Sequence, residues 1–114
     1  MKRKKILNDL INYRKSIDDL KKNLKDVSWD SDTELVVLKS KHLKQMFKLF
    51  ITGKIKENVL EEWANLIEGR EDIRFENDDI KNIIFKLANP VLYGGINLDK
   101  VREYNNILES QEEV

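Results

Sequence analysis

Apolar residues return every three or four positions through most of this 114-residue chain, and that spacing restricts the fold more than any other feature. At 100° per residue, Ile6, Leu10, Tyr13, Ile17, Leu20 and Leu24 fall within an arc of about 80°, and Leu7 and Ile11 widen the stripe. The spacing predicts one long helix over residues 4–25, inside a basic N-terminal segment of residues 1–27. Roughly three heptads could also make a coiled-coil seam, but packing within the domain is the better use of a stripe this short.

Four further stripes follow. Leu43, Met46, Phe47, Phe50 and Ile51 share a face after Ser40, a candidate N-cap, and Gly53 can take the left-handed conformation that ends a helix. In the next helix Val59, Leu60, Trp63, Ala64, Leu66 and Ile67 oppose Glu57, Asn58, Glu61, Glu62, Asn65 and Glu68, with Gly69 as terminator. A helix starting near Asn77 or Asp78 turns Ile80, Ile83, Ile84, Leu87 and Ala88 inward until Asn89-Pro90 stops it, because proline disfavours helical backbone in its predecessor. Gly94-Gly95 tightens the loop, and Asn97 caps a last helix bearing Leu98, Val101, Tyr104 and Leu108.

Residues 28–33 are rich in turn and cap formers and link the first helix to the rest. In residues 34–38, Val36 and Val37 favour an extended run, but no partner strand is evident, so a connector or the lead-in to a helix is expected. Residues 111–114 are expected to fray. The expectation is an all-α fold: a small single-domain helical bundle of four to five helices spanning residues 1–114, with its helical core in residues 40–110.

Charge is segregated along the chain. Residues 1–54 hold 14 Lys/Arg against 7 Asp/Glu, and residues 55–114 hold 7 against 14, so a formal net charge of zero hides opposite halves. Between Glu57 and Asp79 nine acids face only Arg70 and Arg74. Such asymmetry speaks to partners and association rates, not to fold. Glu68, Glu71 and Asp72 also lie at or past a helix C-terminus, where the exposed carbonyls disfavour carboxylates. Either Arg70 and Arg74 neutralise them, or a cationic partner does.

The means for catalysis are sparse. With no cysteine and one histidine, thiol chemistry is excluded and a Ser-His-Asp triad would depend on His42 alone. No EF-hand spacing or Glu-x-x-His pair suggests a metal, and Gly94-Gly95 is too little for a phosphate loop. The expectation is no enzyme and no cofactor. No apolar run reaches the roughly 18 residues of a membrane span, and the absence of cysteine suits a reducing cytoplasm. Trp63 sits mid-face as a core residue, whereas Trp29, in a polar linker, is a candidate interface anchor.

The segment Leu43-Lys44-Gln45-Met46-Phe47-Lys48-Leu49-Phe50-Ile51-Thr52-Gly53-Lys54-Ile55, followed by an acidic helix from Glu61-Glu62-Trp63 to Arg70, resembles the bacterial self-protection family typified by the colicin D immunity protein. The likeness covers residues 40–90. The basic N-terminal helix and the loop from Asn89 to Gly95 depart from it. What the resemblance implies is a small helical immunity protein that binds a cognate toxin nuclease, commonly a transfer-RNA-cleaving domain, and blocks its basic cleft. Colicin-like delivery and contact-dependent growth inhibition are both compatible with it.

On that reading Glu61, Glu62, Asn65, Glu68, Glu71, Asp72 and Glu76 are the expected partner contacts, with the carboxylates standing in for RNA phosphates. Two other classes compete. A nucleic-acid-binding regulator would use Lys2, Arg3, Lys4, Lys5, Arg14, Lys15, Lys21 and Lys22, since an acidic second helix would be repelled by DNA. A self-associating scaffold would pair the basic half of one copy with the acidic half of another.

Overall fold

The first apolar stripe is carried by two helices, α1 (Lys2–Ile11) and α2 (Ile17–Leu24), in a computed structural model that describes residues 2–30 and 32–112. The single helix expected over residues 4–25 breaks because the backbone turns left-handed at Tyr13, φ 49°. There the Tyr13 N–H donates to the Leu10 carbonyl at 3.1 Å and the Arg14 N–H to the Asp9 carbonyl at 2.9 Å, the paired bonds of a Schellman cap. Ser16 then opens α2, its Oγ accepting from the Asp19 N–H at 3.2 Å, with Asp18 and Asp19 beside the positive helix end. Periodicity conceals the break because the stripe keeps its phase across it. Ile6, Leu7, Leu10 and Ile11 enter the same core as Ile17, Leu20 and Leu24.

The connector expected at residues 34–38 contains a strand, β1 (Val36–Leu38), which pairs in parallel with β2 (Ile73–Phe75). The register sets Val36 against Ile73, Val37 against Arg74 and Leu38 against Phe75. Valine's β-branch suits it to this half-buried ladder, and the missing element was the partner, a strand of three residues embedded among acids. The fold is therefore mainly helical with a small sheet, not purely all-α.

Between the strands run α3 (Ser40–Ile51) and α4 (Glu57–Ile67). After β2 come α5 (Asp78–Ala88), the single turn α6 (Pro90–Tyr93) and α7 (Leu98–Glu112), so seven helices stand among the described residues where four to five were expected. Asn77 and Asn97 cap α5 and α7, accepting from the Ile80 and Lys100 N–H groups at 3.0 and 2.9 Å. Gly53 and Gly69 end α3 and α4 at φ 79° and 81°. Pro90 both terminates α5 and occupies the first position of α6, where its missing N–H costs nothing. The fraying expected at residues 111–114 falls partly outside the described residues, and α7 runs to Glu112.

One core joins these elements, from Ile6 to Leu108. Trp63 lies at 0% exposure near its centre and donates from Nε1 to the Leu10 carbonyl at 2.8 Å, so α4 reaches the last turn of α1. The Cα radius of gyration, 13.6 Å, is close to the roughly 13 Å expected for one compact unit of this length. Among the described residues no helix is long and apolar enough to cross a membrane.

Candidate partner-binding surface

The acidic run does not form one face. It divides at Asp72, whose carboxylate is wholly buried and held by two arginines. Arg70 Nε and Nη2 donate to Asp72 Oδ1 and Oδ2 at 2.9 and 3.1 Å, a bidentate pair, and Arg3 Nε adds a bond to Oδ2 at 3.0 Å. Both guanidinium groups also reach the Ser28 carbonyl, Arg70 at 3.1 Å and Arg3 at 2.7 Å, and Arg3 bonds the Asp30 carbonyl at 3.0 Å. The Asp72 main-chain carbonyl receives the Leu35 and Val36 N–H groups at 2.8 and 3.3 Å. Asp72 thus ties α1, the 28–30 linker and the start of β1 to the end of the acidic segment. Its expected role as a partner contact is corrected: no surface is left on it to touch.

The remaining expected contacts occupy three places. On α4 and its C-cap residue, Glu57, Glu61, Asn65 and Glu68 fall within an arc of about 80°, beside the arc of buried Leu60, Trp63, Ala64 and Ile67. Asn65 is exposed and Glu61 half-buried. The edges of this ridge are tethered. Glu62 pairs with Lys21 of α2 at 3.3 Å, and Glu68 accepts long hydrogen bonds from Asn89 Nδ2 at 3.4 and 3.5 Å. Lys21 and Glu62 are about half exposed, so the pair is screened and contributes little to stability. Lys21 belongs to the basic half of the chain and Glu62 to the acidic half, so part of the charge asymmetry closes on itself within the molecule.

Glu71 is exposed in the turn after Gly69, and its N–H donates to the Trp29 carbonyl at 3.0 Å. Glu76 is exposed beyond β2, its N–H bonded to the Leu38 carbonyl at 3.0 Å. The strand β2 separates Glu76 from Glu71, so the two lie at opposite ends of that strand.

Beside that ridge lies a feature only half legible in the sequence. The Arg70 guanidinium sits 4.8 Å from the Trp29 ring centroid, a cation–π contact, while 45% of Trp29 stays exposed. Trp29, Leu24, Lys21, Leu66 and Arg70 line a groove of about 590 Å³ between α2 and α4. Trp29 is therefore a part-exposed aromatic surface stacked on Arg70, with the Glu71 N–H bonded to its carbonyl. The readable signals were a tryptophan in a polar linker and an Arg70 expected to neutralise the acids around it, as it does for Asp72; what could not be read was that Arg70 would do so from beneath the Trp29 ring.

His42 is used structurally. Its Nδ1 accepts the Lys39 N–H at 2.9 Å, so Lys39 is the cap residue of α3 and Ser40, the expected cap, is the first helical residue. The imidazole takes the part that Glu or Gln plays in a capping box. Burial first, then the fields of Lys41 and Lys39, push its pKa down to about 4. Among the described residues no group of three or more His, Cys, Asp or Glu could hold a metal. Comparison with protein-family models, with curated proteins and with solved structures finds no match.

Proposed function

We propose that this chain is a non-catalytic binding protein whose acidic α4 ridge docks on a basic protein, and that the partner is a bacterial toxin nuclease for which the chain acts as the immunity protein. The observation that carries the reading is the ridge itself. Glu57 and Asn65 are exposed, Glu61 and Glu68 half-buried between them, and Glu71 exposed just beyond, on a helix whose other side is locked into the core by Trp63.

A rigid helix presents carboxylates at fixed spacing without loss of backbone entropy on binding, which favours both fast encounter and defined register. Trp29 adds an apolar anchor beside the charges, the combination found at interface centres. Glu62 and Glu68 take part only where the partner outcompetes Lys21 and Asn89.

The test is retrieval of the partner on the tagged chain at low and moderate salt, followed by assay of the recovered nuclease with and without added protein. A basic nuclease domain, held stoichiometrically and inhibited, is the expected outcome. The double variant Glu61→Lys with Glu71→Lys should lower its association rate at least tenfold while melting as the parent does. Recovery of nucleic acid in place of protein, or binding unchanged by the charge reversal, would sink the proposal.

A further inference from the structure

The groove bounded by α1, the outer edge of β1 and the start of α3 differs in its charge from four other grooves of the molecule. Its volume is about 410 Å³, and Lys4, Arg14, Lys39 and Lys41 line it with no Asp or Glu among them. Four other grooves each carry at least one carboxylate: Asp26 and Asp30 beside Trp29, Asp26 beside Arg3, Glu34 and Glu71 beside Arg74, Glu57 and Asp99 beside Arg102.

The four cations come from separate parts of the chain: Lys4 from α1, Arg14 from the turn before α2, Lys39 and Lys41 from the start of α3. Folding gathers them, and their mutual repulsion opposes folding. Of these four cations, Arg14 alone pairs with Asp9, at 3.3 Å, and shares it with Lys5 and Lys15; Lys4, Lys39 and Lys41 make no ion pair among the described residues. Neutral donors line the same groove. His42 Nδ1 accepts a backbone N–H, which puts the ring hydrogen on Nε2. The register of Val37 with Arg74 turns the Val37 N–H away from β2.

We propose that this groove binds a phosphate group, carried either by a small phosphorylated molecule or by a nucleic-acid strand. Phosphate offers several acceptor oxygens to converging point charges and directional N–H donors, whereas a carboxylate would satisfy fewer of them. The volume lies within the roughly 300–1,000 Å³ of small-ligand sites. The proposal does not rest on the acidic ridge and stands or falls separately from it.

His42 is the only histidine in the chain, so its ring gives one magnetic-resonance signal inside the groove. The full chain is titrated with pyrophosphate, with AMP and with a uridine hexanucleotide, and the His42 ring signal is followed. A saturable shift with at least one probe is expected. Lys39→Glu with Lys41→Glu should weaken that binding at least tenfold, and new acids at the start of α3 suit its dipole, so this variant folds. Lys22→Glu with Lys25→Glu makes the same change in net charge elsewhere and should alter binding less than about threefold. AMP binding as tightly as the hexamer identifies a small-molecule site; a hexamer binding much more tightly identifies a strand. A His42 signal unmoved by all three probes, or equal weakening by both double variants, overturns the proposal.

Discussion

Asp72 and His42 are the residues on which stability and pH response turn. Asp72 neutralises two guanidinium groups, one of them, Arg70, with 1% of its side chain exposed. Replacing a charge in such a pair strands the partner without water, a loss of about 3–5 kcal/mol. Asp72→Asn should therefore destabilise by about that amount in chemical denaturation, whereas Arg3→Ala, which removes a partly exposed partner, should cost about 1 kcal/mol.

His42 gives a signed pH response. Its folded pKa of about 4 lies below the ordinary 6.5, so the fold prefers the neutral ring. The contribution is complete above pH 6.5, falls as pH drops through the window down to about 4, and is gone below it. His42→Gln keeps an acceptor at the capping position and does not titrate. Its stability should vary less than the parent's between pH 7 and pH 5, measured by urea midpoints. Asp9 acts in a lower range. Burial alone would raise its pKa, but bonds from Arg14 and Lys5 and the charges of Lys5 and Lys15 hold it below the usual 3.8, so its contribution is lost only in stronger acid.

Elements here are set by their ends. α2 exists as a separate helix because Ser16 caps it and Tyr13 closes α1 in a left-handed conformation that costs about 1 kcal/mol for a non-glycine residue. Ser16→Ala should lose about 1 kcal/mol and fray the start of α2 in hydrogen exchange. Gly69 sits at φ 81° with nothing within 4 Å of an added Cβ, so Gly69→Ala meets only backbone strain and should cost about 1–2 kcal/mol. The serine followed by Asp18 and Asp19 was a readable helix start. The apolar stripe, continuous in phase, masked it.

For the whole molecule, the basic and acidic halves are mutually dependent. Arg3 closes on Asp72, Lys21 on Glu62 and Trp63 on the Leu10 carbonyl, so the N-terminal helices cover one side of the acidic half. A chain lacking residues 1–27 would expose Trp63, unpair one side of Asp72 and strip Leu7, Leu10 and Leu20 from the core. It should lose cooperative thermal melting, read by circular dichroism, although residues 40–110 alone carry five helices. Retention of a sharp transition would show the C-terminal part to be self-sufficient.

Local pattern by itself determined the positions of α3, α4, α5 and α7, their stops at Gly53, Gly69 and Asn89-Pro90, the start of α5 near Asn77 or Asp78, the cap at Asn97, and the burial of Trp63. Each depends on periodicity or on residues within one turn of the helix end, information contained in a short window. Tertiary structure decided the rest. β1 needed β2 from across the chain, Trp63 of α4 came to bond the Leu10 carbonyl where the 4–25 helix breaks, and the run from Glu61 to Glu76 divided because Arg70 and Arg3 drew Asp72 inside. A carboxylate moves from surface to core when the cations that compensate its desolvation converge on it, and one of those cations lies at the opposite end of the sequence.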